Sequence, residues 1–156
     1  MEGIRQGDIP GVQLKRRVVV PGSSRERVWP FWVEADKQSC WLGDRARLEE
    51  GPPTVFWLES DLAQGGVRRE YVEVVERVEP ERLVLGFRQL DAGWTAATKV
   101  TVELAQSEAG CRVMVFQEGF QKLPLSTGLT AWEHSRARWS RALERLAEIG
   151  RPEGAP

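Results

Sequence analysis

Hydrophobic and polar positions repeat with two different periods along the chain, and the change of period separates the elements that they predict. Apolar residues recur every three or four positions across 127–150, which predicts one long amphipathic helix. Thr127 is the expected N-cap and Gly150 the expected stop. Charged residues, Arg138 among them, fall on the other faces. Ser135 and Arg136 interrupt the apolar stripe between two tryptophans, as we expect where a helix covers a partly open cavity.

A period of two predicts strands before this helix, separated by glycine- and proline-containing turns. After the first strand, Ser23 or Ser24 caps a short helix that Pro30 should kink or break, and a second short helix follows at about 36–41. The pattern is irregular within the longest strand, where we expect a bulge. The predicted strands cover 12–20, 45–49, 55–59, 67–78, 83–89, 95–104 and 111–118.

This order of elements predicts an α+β domain with helices on one face of an antiparallel sheet. A strongly curved sheet wrapped around the long C-terminal helix would enclose a cavity between them. We expect a single domain over 12–150, with loose termini at 1–11 and 151–156.

Composition limits the classes of partner. Twenty-two Lys and Arg residues against 23 Asp and Glu give no electrostatic case for nucleic acid or an anionic membrane surface. No apolar run approaches membrane-spanning length, and the N-terminus lacks a signal-peptide core. Cys40 and Cys111 have neither metal-ligand nor redox spacing, so we expect a reduced, cytoplasmic protein. We expect either a monomer or a homodimer. Seven tryptophans suggest an aromatic-lined interior.

Several stretches of the sequence carry a family resemblance: SRERVW at 24–29, WLG at 41–43, VEPERL at 78–83, VTVEL at 100–104, EGF at 118–120 and the segment 134–146. They resemble the helix-grip superfamily of START and birch-pollen-allergen-like proteins (SRPBCC), and within it homologues of the activator of the heat-shock chaperone ATPase. The resemblance covers nearly the whole chain beyond its first ten residues. It implies the helix-grip fold, a ligand cavity and a chaperone as a partner. One departure is Arg138, where family members often have glycine.

Residues able to perform catalysis are few. His134 is the only histidine, and we expect it on the helix surface or at a cavity rim. Neither the cysteines nor the serines lie in a motif that implies a nucleophile beside a base. One histidine and two distant cysteines cannot hold zinc. We therefore predict no catalytic residue, metal or cofactor.

A ligand site is predicted instead from aromatic residues on the elements that enclose the expected cavity. Glu118, after a strand whose inward residues include Cys111, could place a carboxylate at the cavity mouth, although a solvated strand-end carboxylate is the commoner case. Arg136 could pair with Glu118 or Glu70 or bind a ligand carboxylate. The alternative is a surface arginine that lies over Trp132 or Trp139. The aromatic candidates are Trp57, Tyr71, Phe87, Trp94, Trp132 and Trp139.

The sequence therefore predicts non-catalytic binding of a small hydrophobic or amphipathic molecule between the sheet and the C-terminal helix. One alternative is an interaction protein that docks on a chaperone, which needs an exposed apolar or charged patch. Another is an enzyme of the polyketide cyclase or aromatase kind, which needs a buried cavity acid or base such as Glu118 or His134.

Overall fold

The computed structural model describes residues 5–152 and contains one seven-stranded antiparallel sheet in the order β1-β7-β6-β5-β4-β3-β2. The sheet curves around the long helix α4. Three short helices follow the first strand, and a 3-10 helix, Phe120–Lys122, precedes α4. The bounds are β1 Gln13–Pro21, α1 Arg25–Val28, α2 Pro30–Val33, α3 Ala35–Gln38, β2 Arg45–Glu49, β3 Val55–Asp61, β4 Val67–Val78, β5 Arg82–Gln89, β6 Thr98–Ser107, β7 Gly110–Glu118 and α4 Leu125–Ile149.

The predicted α+β helix-grip architecture is confirmed, and most local signals act as expected. Ser24 is the N-cap of α1, since its side chain accepts a hydrogen bond from the backbone N–H of Arg27. Pro30 separates α1 from α2 and stands at the first position of the second helix, where its missing N–H costs nothing. The bulge in β4 lies between Val74 and Glu76.

The start of α4 differs from the prediction. The helix begins at Leu125, directly after Pro124, so Thr127 lies within the first turn and is not its N-cap. Gly128 follows inside the same turn, where a Cβ would lie 2.6 Å from the carbonyl oxygen of Phe120. The glycine therefore marks a close approach of the helix to the 3-10 helix, not a boundary. Gly150 ends α4 as predicted.

The face of α4 that meets the sheet is wider than the apolar stripe indicates. Ala131, Ser135, Arg138 and Ala142 follow one another at helical spacing, and all four are buried. The assignment of Arg138 to a solvent-facing side is wrong, because its guanidinium turns inward and pairs with a carboxylate of the sheet. The polar gap in the stripe is thus packed within the protein. Among the described residues, no helix is long and apolar enough to cross a membrane.

Residues 5–11, predicted as a loose start, are attached to the domain. The inaccessible carboxylate of Asp8 accepts hydrogen bonds from the Arg16 side chain at 2.8 Å and from the backbone N–H groups of Arg5 and Lys15. Burial alone would raise the pKa of Asp8, but these donors outweigh it and hold the pKa below its usual value. Arg16 also donates to Ser140 of α4. Residues 1–4 and 153–156 of the predicted loose termini lie outside the described range.

Candidate functional site

A cavity of about 300 Å³ lies at one end of the space between the sheet and α4. Its walls are the segment 39–44, which joins α3 to β2, the inner-face residues Ser60 and Arg68 of β3 and β4, and the C-terminal half of α4. Helix α4 contributes Arg138, Arg141, Ala142 and Arg145. We call this feature the arginine cavity, because four arginines line it.

A buried ion pair forms the inner end of the arginine cavity. Both guanidinium Nη atoms of Arg138 donate to the carboxylate of Glu70, at 2.9 and 2.8 Å, and both side chains are almost fully buried. Nη2 of Arg138 also donates to the carbonyl oxygen of Leu42 at 3.1 Å. Such a bidentate pair is strong and directional, so it fixes α4 against β4 and against the segment 39–44. Both oxygens of Glu70 are thereby occupied.

Arg68 is the second cation beside Glu70, and its own contacts are weak. Its Nε atom lies 3.7 Å from Oε1 of Glu70, beyond hydrogen-bond distance, and its Nη2 atom is 3.5 Å from Oγ of Ser60. Among the described residues, buried Nε of Arg68 has no hydrogen-bond partner. Burial, followed by the positive charge of Arg138, lowers the pKa of Arg68 below its usual value, although Glu70 acts in the opposite direction.

The outer part of the cavity adds two exposed arginines and a single carboxylate. Arg145 donates weakly to the carbonyl oxygen of Cys40 and pairs with Glu148, whereas Arg141 has no hydrogen-bond or ion-pair partner within residues 5–152. Among residues 5–152, Asp44 is the only acidic residue in the lining, and its carboxylate accepts a hydrogen bond from the backbone N–H of Asp61 at 2.6 Å. The walls therefore carry a clear excess of positive charge.

Aromatic rings occupy the interior next to the arginine cavity. Trp139, fully buried, stacks on Trp32 with ring centroids 6.0 Å apart and meets Phe87 edge-on at 5.7 Å. Trp41, which lines the cavity, meets Trp32 edge-on at 4.7 Å. The indole of Trp41 donates to the carbonyl oxygen of Phe31 and so has a fixed orientation. The cavity wall is thus supported by a packed aromatic cluster.

A buried polar chain connects Trp139 to the sheet. Its indole N–H donates to Oε1 of Gln117 at 2.8 Å, Nε2 of Gln117 donates to Oγ1 of Thr98, and that hydroxyl donates to the carbonyl oxygen of Phe87. Sequence reasoning missed Gln117, although a signal existed. The inward parity of β7 that includes Cys111 continues to position 117 and not to 118.

Two of the predicted site residues lie on the outer face of the sheet, away from α4. Trp57 and Tyr71 are direct cross-strand neighbours with ring centroids 5.1 Å apart, and Arg47 lies over the Trp57 ring. The adjacent positions Phe56 and Leu58 of β3 are the ones that enter the core. Because side chains alternate along a strand, Trp57 cannot share their face.

The remaining aromatic candidates are buried, but they do not come together around one space. Phe87 and Trp139 are in contact within the core, whereas Trp94 lines a separate cavity of about 240 Å³ near the start of α4. Trp132 donates its indole N–H to the carbonyl oxygen of Gln13. The guanidinium carbon of Arg136 lies 4.4 Å from the Trp132 ring centroid, as one alternative predicted, but the residue is buried and not at the surface.

Neither predicted ionisable candidate enters a cavity as an acid or base. Glu118 is half-buried on the outer face, opposite Lys99 and Gln13 in the strand register. His134 is exposed on α4 at the rim of the small cavity that Trp94 also lines, in agreement with its predicted surface or rim position. None of the eight predicted ligand residues lines the arginine cavity. A ligand-binding role for them stays a prediction.

Both thiols are free, and they differ in environment. Cys40 is exposed at the arginine cavity, whereas Cys111 is buried in β7. Burial raises the pKa of the Cys111 thiol to about 11. Within residues 5–152, no group of three or more His, Cys, Asp or Glu side chains is arranged to hold a metal ion.

Solved structures with this architecture come from several bacteria. A protein from Chromobacterium violaceum is 21% identical, with a TM-score of 0.71 over 91% of this chain and 99% of that one. One from Rhodobacter sphaeroides is 18% identical, with a TM-score of 0.70 over 94% and 95%. An AHSA1-like protein from Aeromonas hydrophila is 15% identical, with a TM-score of 0.64 over 87% and 90%. At these identities the likeness establishes the fold alone.

The sequence itself gives a more specific result. No curated protein matches the chain. The family model described as activator of Hsp90 ATPase homolog 1-like protein matches residues 23–150. That span starts at Ser23, whose hydroxyl donates to the carbonyl oxygen of Gly150, so its two ends meet in space. Because the match covers most of the sequence and the whole of α4, the chain belongs to the activator of Hsp90 ATPase homolog 1-like family.

Proposed function

We propose that this protein binds a small amphipathic molecule in the arginine cavity and that it acts as a binding protein without catalysis. The observation that carries the proposal is the cavity itself, which combines an apolar wall with an excess of guanidinium groups at one end of the helix–sheet interface. Ligand sites commonly pair apolar walls with a few convergent polar groups. Trp41, Leu42 and Ala142 supply the apolar part here.

The contacts that hold the cavity walls in place favour a preformed site. Arg138 connects α4 to Glu70 and Leu42, and Trp41 is packed on Trp32. A ligand would therefore meet side chains that already have fixed positions. Such preorganisation reduces the entropy cost of binding.

The test is native mass spectrometry on protein purified gently from its own cells, followed by denaturation and identification of any released compound. We expect a stoichiometric small molecule that rebinds to the emptied protein. Substitution of Ala142 by Trp fills the cavity from α4 and should prevent rebinding, whereas Ala137→Trp, outside the cavity lining, is the control. A protein that is empty when isolated and binds no compound afterwards would contradict the proposal.

Docking on a chaperone is the second candidate, favoured by family membership. A groove on the outer face of β1, β7 and β6, with exposed Val19 beside Arg17 and Arg112, is the patch that this alternative requires. A pull-down with purified Hsp90 distinguishes the two candidates. Retention of Hsp90 by the emptied protein, and its loss in Val19→Glu, would favour docking. A buried Glu118 or His134 would have favoured the enzyme alternative, and neither residue is buried.

A further inference from the structure

We infer that the ligand of the arginine cavity is a small organic acid whose carboxylate or phosphate group contacts the guanidinium of Arg68. This inference rests on the proposed function and names the chemical class of the molecule that binds. It follows from the charges of the cavity, from the incomplete hydrogen bonding of Arg68 and from the apolar wall beside it.

The first argument is the balance of charge. Within residues 5–152, four arginines and one aspartate line the cavity; behind them both oxygens of Glu70 accept from Arg138, and Glu148 pairs with Arg145. Asp44 already accepts a backbone N–H, which leaves its carboxylate less available to a guanidinium. Partly buried cations cost free energy unless an anion accompanies them. A bound anion would supply the missing charge.

The second argument is the hydrogen bonding of Arg68. A guanidinium carries five N–H donors in a fixed plane, and those of Arg68 make one long hydrogen bond, to a hydroxyl at 3.5 Å. The Glu70 carboxylate lies 3.7 Å from Nε, beyond hydrogen-bond distance. The next residue is a useful contrast. Arg69 lies on the outer face, and its Nε atom donates to Glu59 at 3.1 Å. An anion in the cavity would give Arg68 the short, charge-assisted contact that it lacks within the described part of the chain.

The third argument is that an inorganic ion would leave much of the cavity volume unfilled and its apolar wall without contacts. Trp41, Leu42 and Ala142 form an apolar wall, and about 300 Å³ exceeds the volume of a bare phosphate. The wall favours an organic body attached to the anionic group. A flat ring or a short acyl chain matches these dimensions.

The test uses three aromatic probes on the emptied protein: benzoate and neutral benzamide have nearly the same shape and differ in charge, and phenyl phosphate presents a phosphate group. Benzoate, neutral benzamide and phenyl phosphate each carry one aromatic ring. Isothermal titration calorimetry at about 0.15 M salt should give benzoate or phenyl phosphate an affinity at least about tenfold above that of benzamide. Whichever anion binds more tightly identifies the ligand as a carboxylate or a phosphate ester.

Two neighbouring arginines provide a matched pair of variants. Arg68→Met should weaken binding of the anions about tenfold and leave benzamide unchanged, whereas Arg69→Met should leave every probe unchanged. Should Arg68→Met fail to fold, Arg141→Met tests the exposed side of the cavity, with an expected loss of about threefold.

Equal affinity for benzoate and benzamide, or equal effects of the Arg68 and Arg69 variants, would overturn the inference. A neutral compound recovered from the native protein would also overturn it while the proposed binding function stands. Failure of every probe to bind overturns the inference as well. If the native protein is then also empty and binds no compound, the proposed function fails too.

Discussion

Replacing Glu70 by Gln tests whether the buried charges beneath α4 depend on one carboxylate. The substitution keeps the shape of the side chain and removes its charge. Arg138, bonded to Glu70 at 2.8 and 2.9 Å, and Arg68 at 3.7 Å then have no counter-charge on the inner face of β4. Breaking a buried ion pair from one side typically costs about 3–5 kcal/mol, because the remaining charge stays buried.

That cost is a large share of an ordinary stability of about 5–15 kcal/mol, and a protein in the middle of that range remains folded after losing it. With a urea m-value of about 2 kcal/mol per molar, the midpoint of unfolding should fall by about 2 M. Urea titrations followed by tryptophan fluorescence measure this shift directly, since Trp139 and Trp32 lie in the core.

The control is Glu59→Gln on the opposite face of the sheet. Glu59 also contacts two arginines, Arg45 at 3.0 Å and Arg69 at 3.1 Å, but its side chain is substantially exposed to water. Water screens that cluster of charges. The urea midpoint of unfolding should therefore fall in Glu59→Gln by only a small fraction of the shift in Glu70→Gln. Equal shifts for the two variants would refute the argument that burial determines the cost.

Three further outcomes are expected. Trp139→Ala should lower the free energy of unfolding by about 3–5 kcal/mol, and a loss below about 1 kcal/mol in urea titrations would contradict its place in the core. The folded-state pKa of Asp8 lies below the usual 3.8, so its stabilising contribution is present above that pH and is lost as the pH falls through the folded value. Asp8→Asn should therefore destabilise the protein at pH 7 and weaken the dependence of unfolding on pH below about 4, measured by circular dichroism. With a thiol-specific disulfide reagent at pH 8, Cys40 should react in the native protein and Cys111 only after unfolding, giving one and then two equivalents by absorbance.

The fold was predictable because the spacing of apolar residues and the positions of turn-forming glycines and prolines indicate the same elements along most of the chain. Strand β2 matches its predicted bounds, and Pro30 breaks the first helical segment where expected. The predicted start of α4 was wrong because a tertiary contact determines where that helix begins. The first turn of α4 extends to Leu125 because Gly128 permits close contact with Phe120, a contact that no local pattern contains.

The site was less predictable, because it violates the binary pattern that identified the fold. Arg68, Glu70 and Arg138 are charged residues on inward-facing positions, which pattern reasoning assigns to solvent. Two signals could have corrected this. Arg138 shares helical spacing with Ala131 and Ala142, and Val72 shares strand parity with Glu70. A charged side chain is buried only where an opposite charge pairs with it, and here that charge lies far along the chain. The spacing of apolar residues alone therefore cannot reveal the buried pair.

The pairing of β1 with β7 has a consequence for synthesis of the chain. Gln13 pairs with Glu118 and Pro21 with Gly110, and β1 also packs against α4, so the first strand has neither partner until the last third is translated. While the ribosome synthesises the intervening residues, the side chains of Val18 and Val20 remain exposed to solvent. Such long-range contacts slow folding and prolong the time during which a nascent strand can aggregate. Lys15, Arg16 and Arg17 form a run of positive charge within this unpaired strand, which opposes its association with other chains.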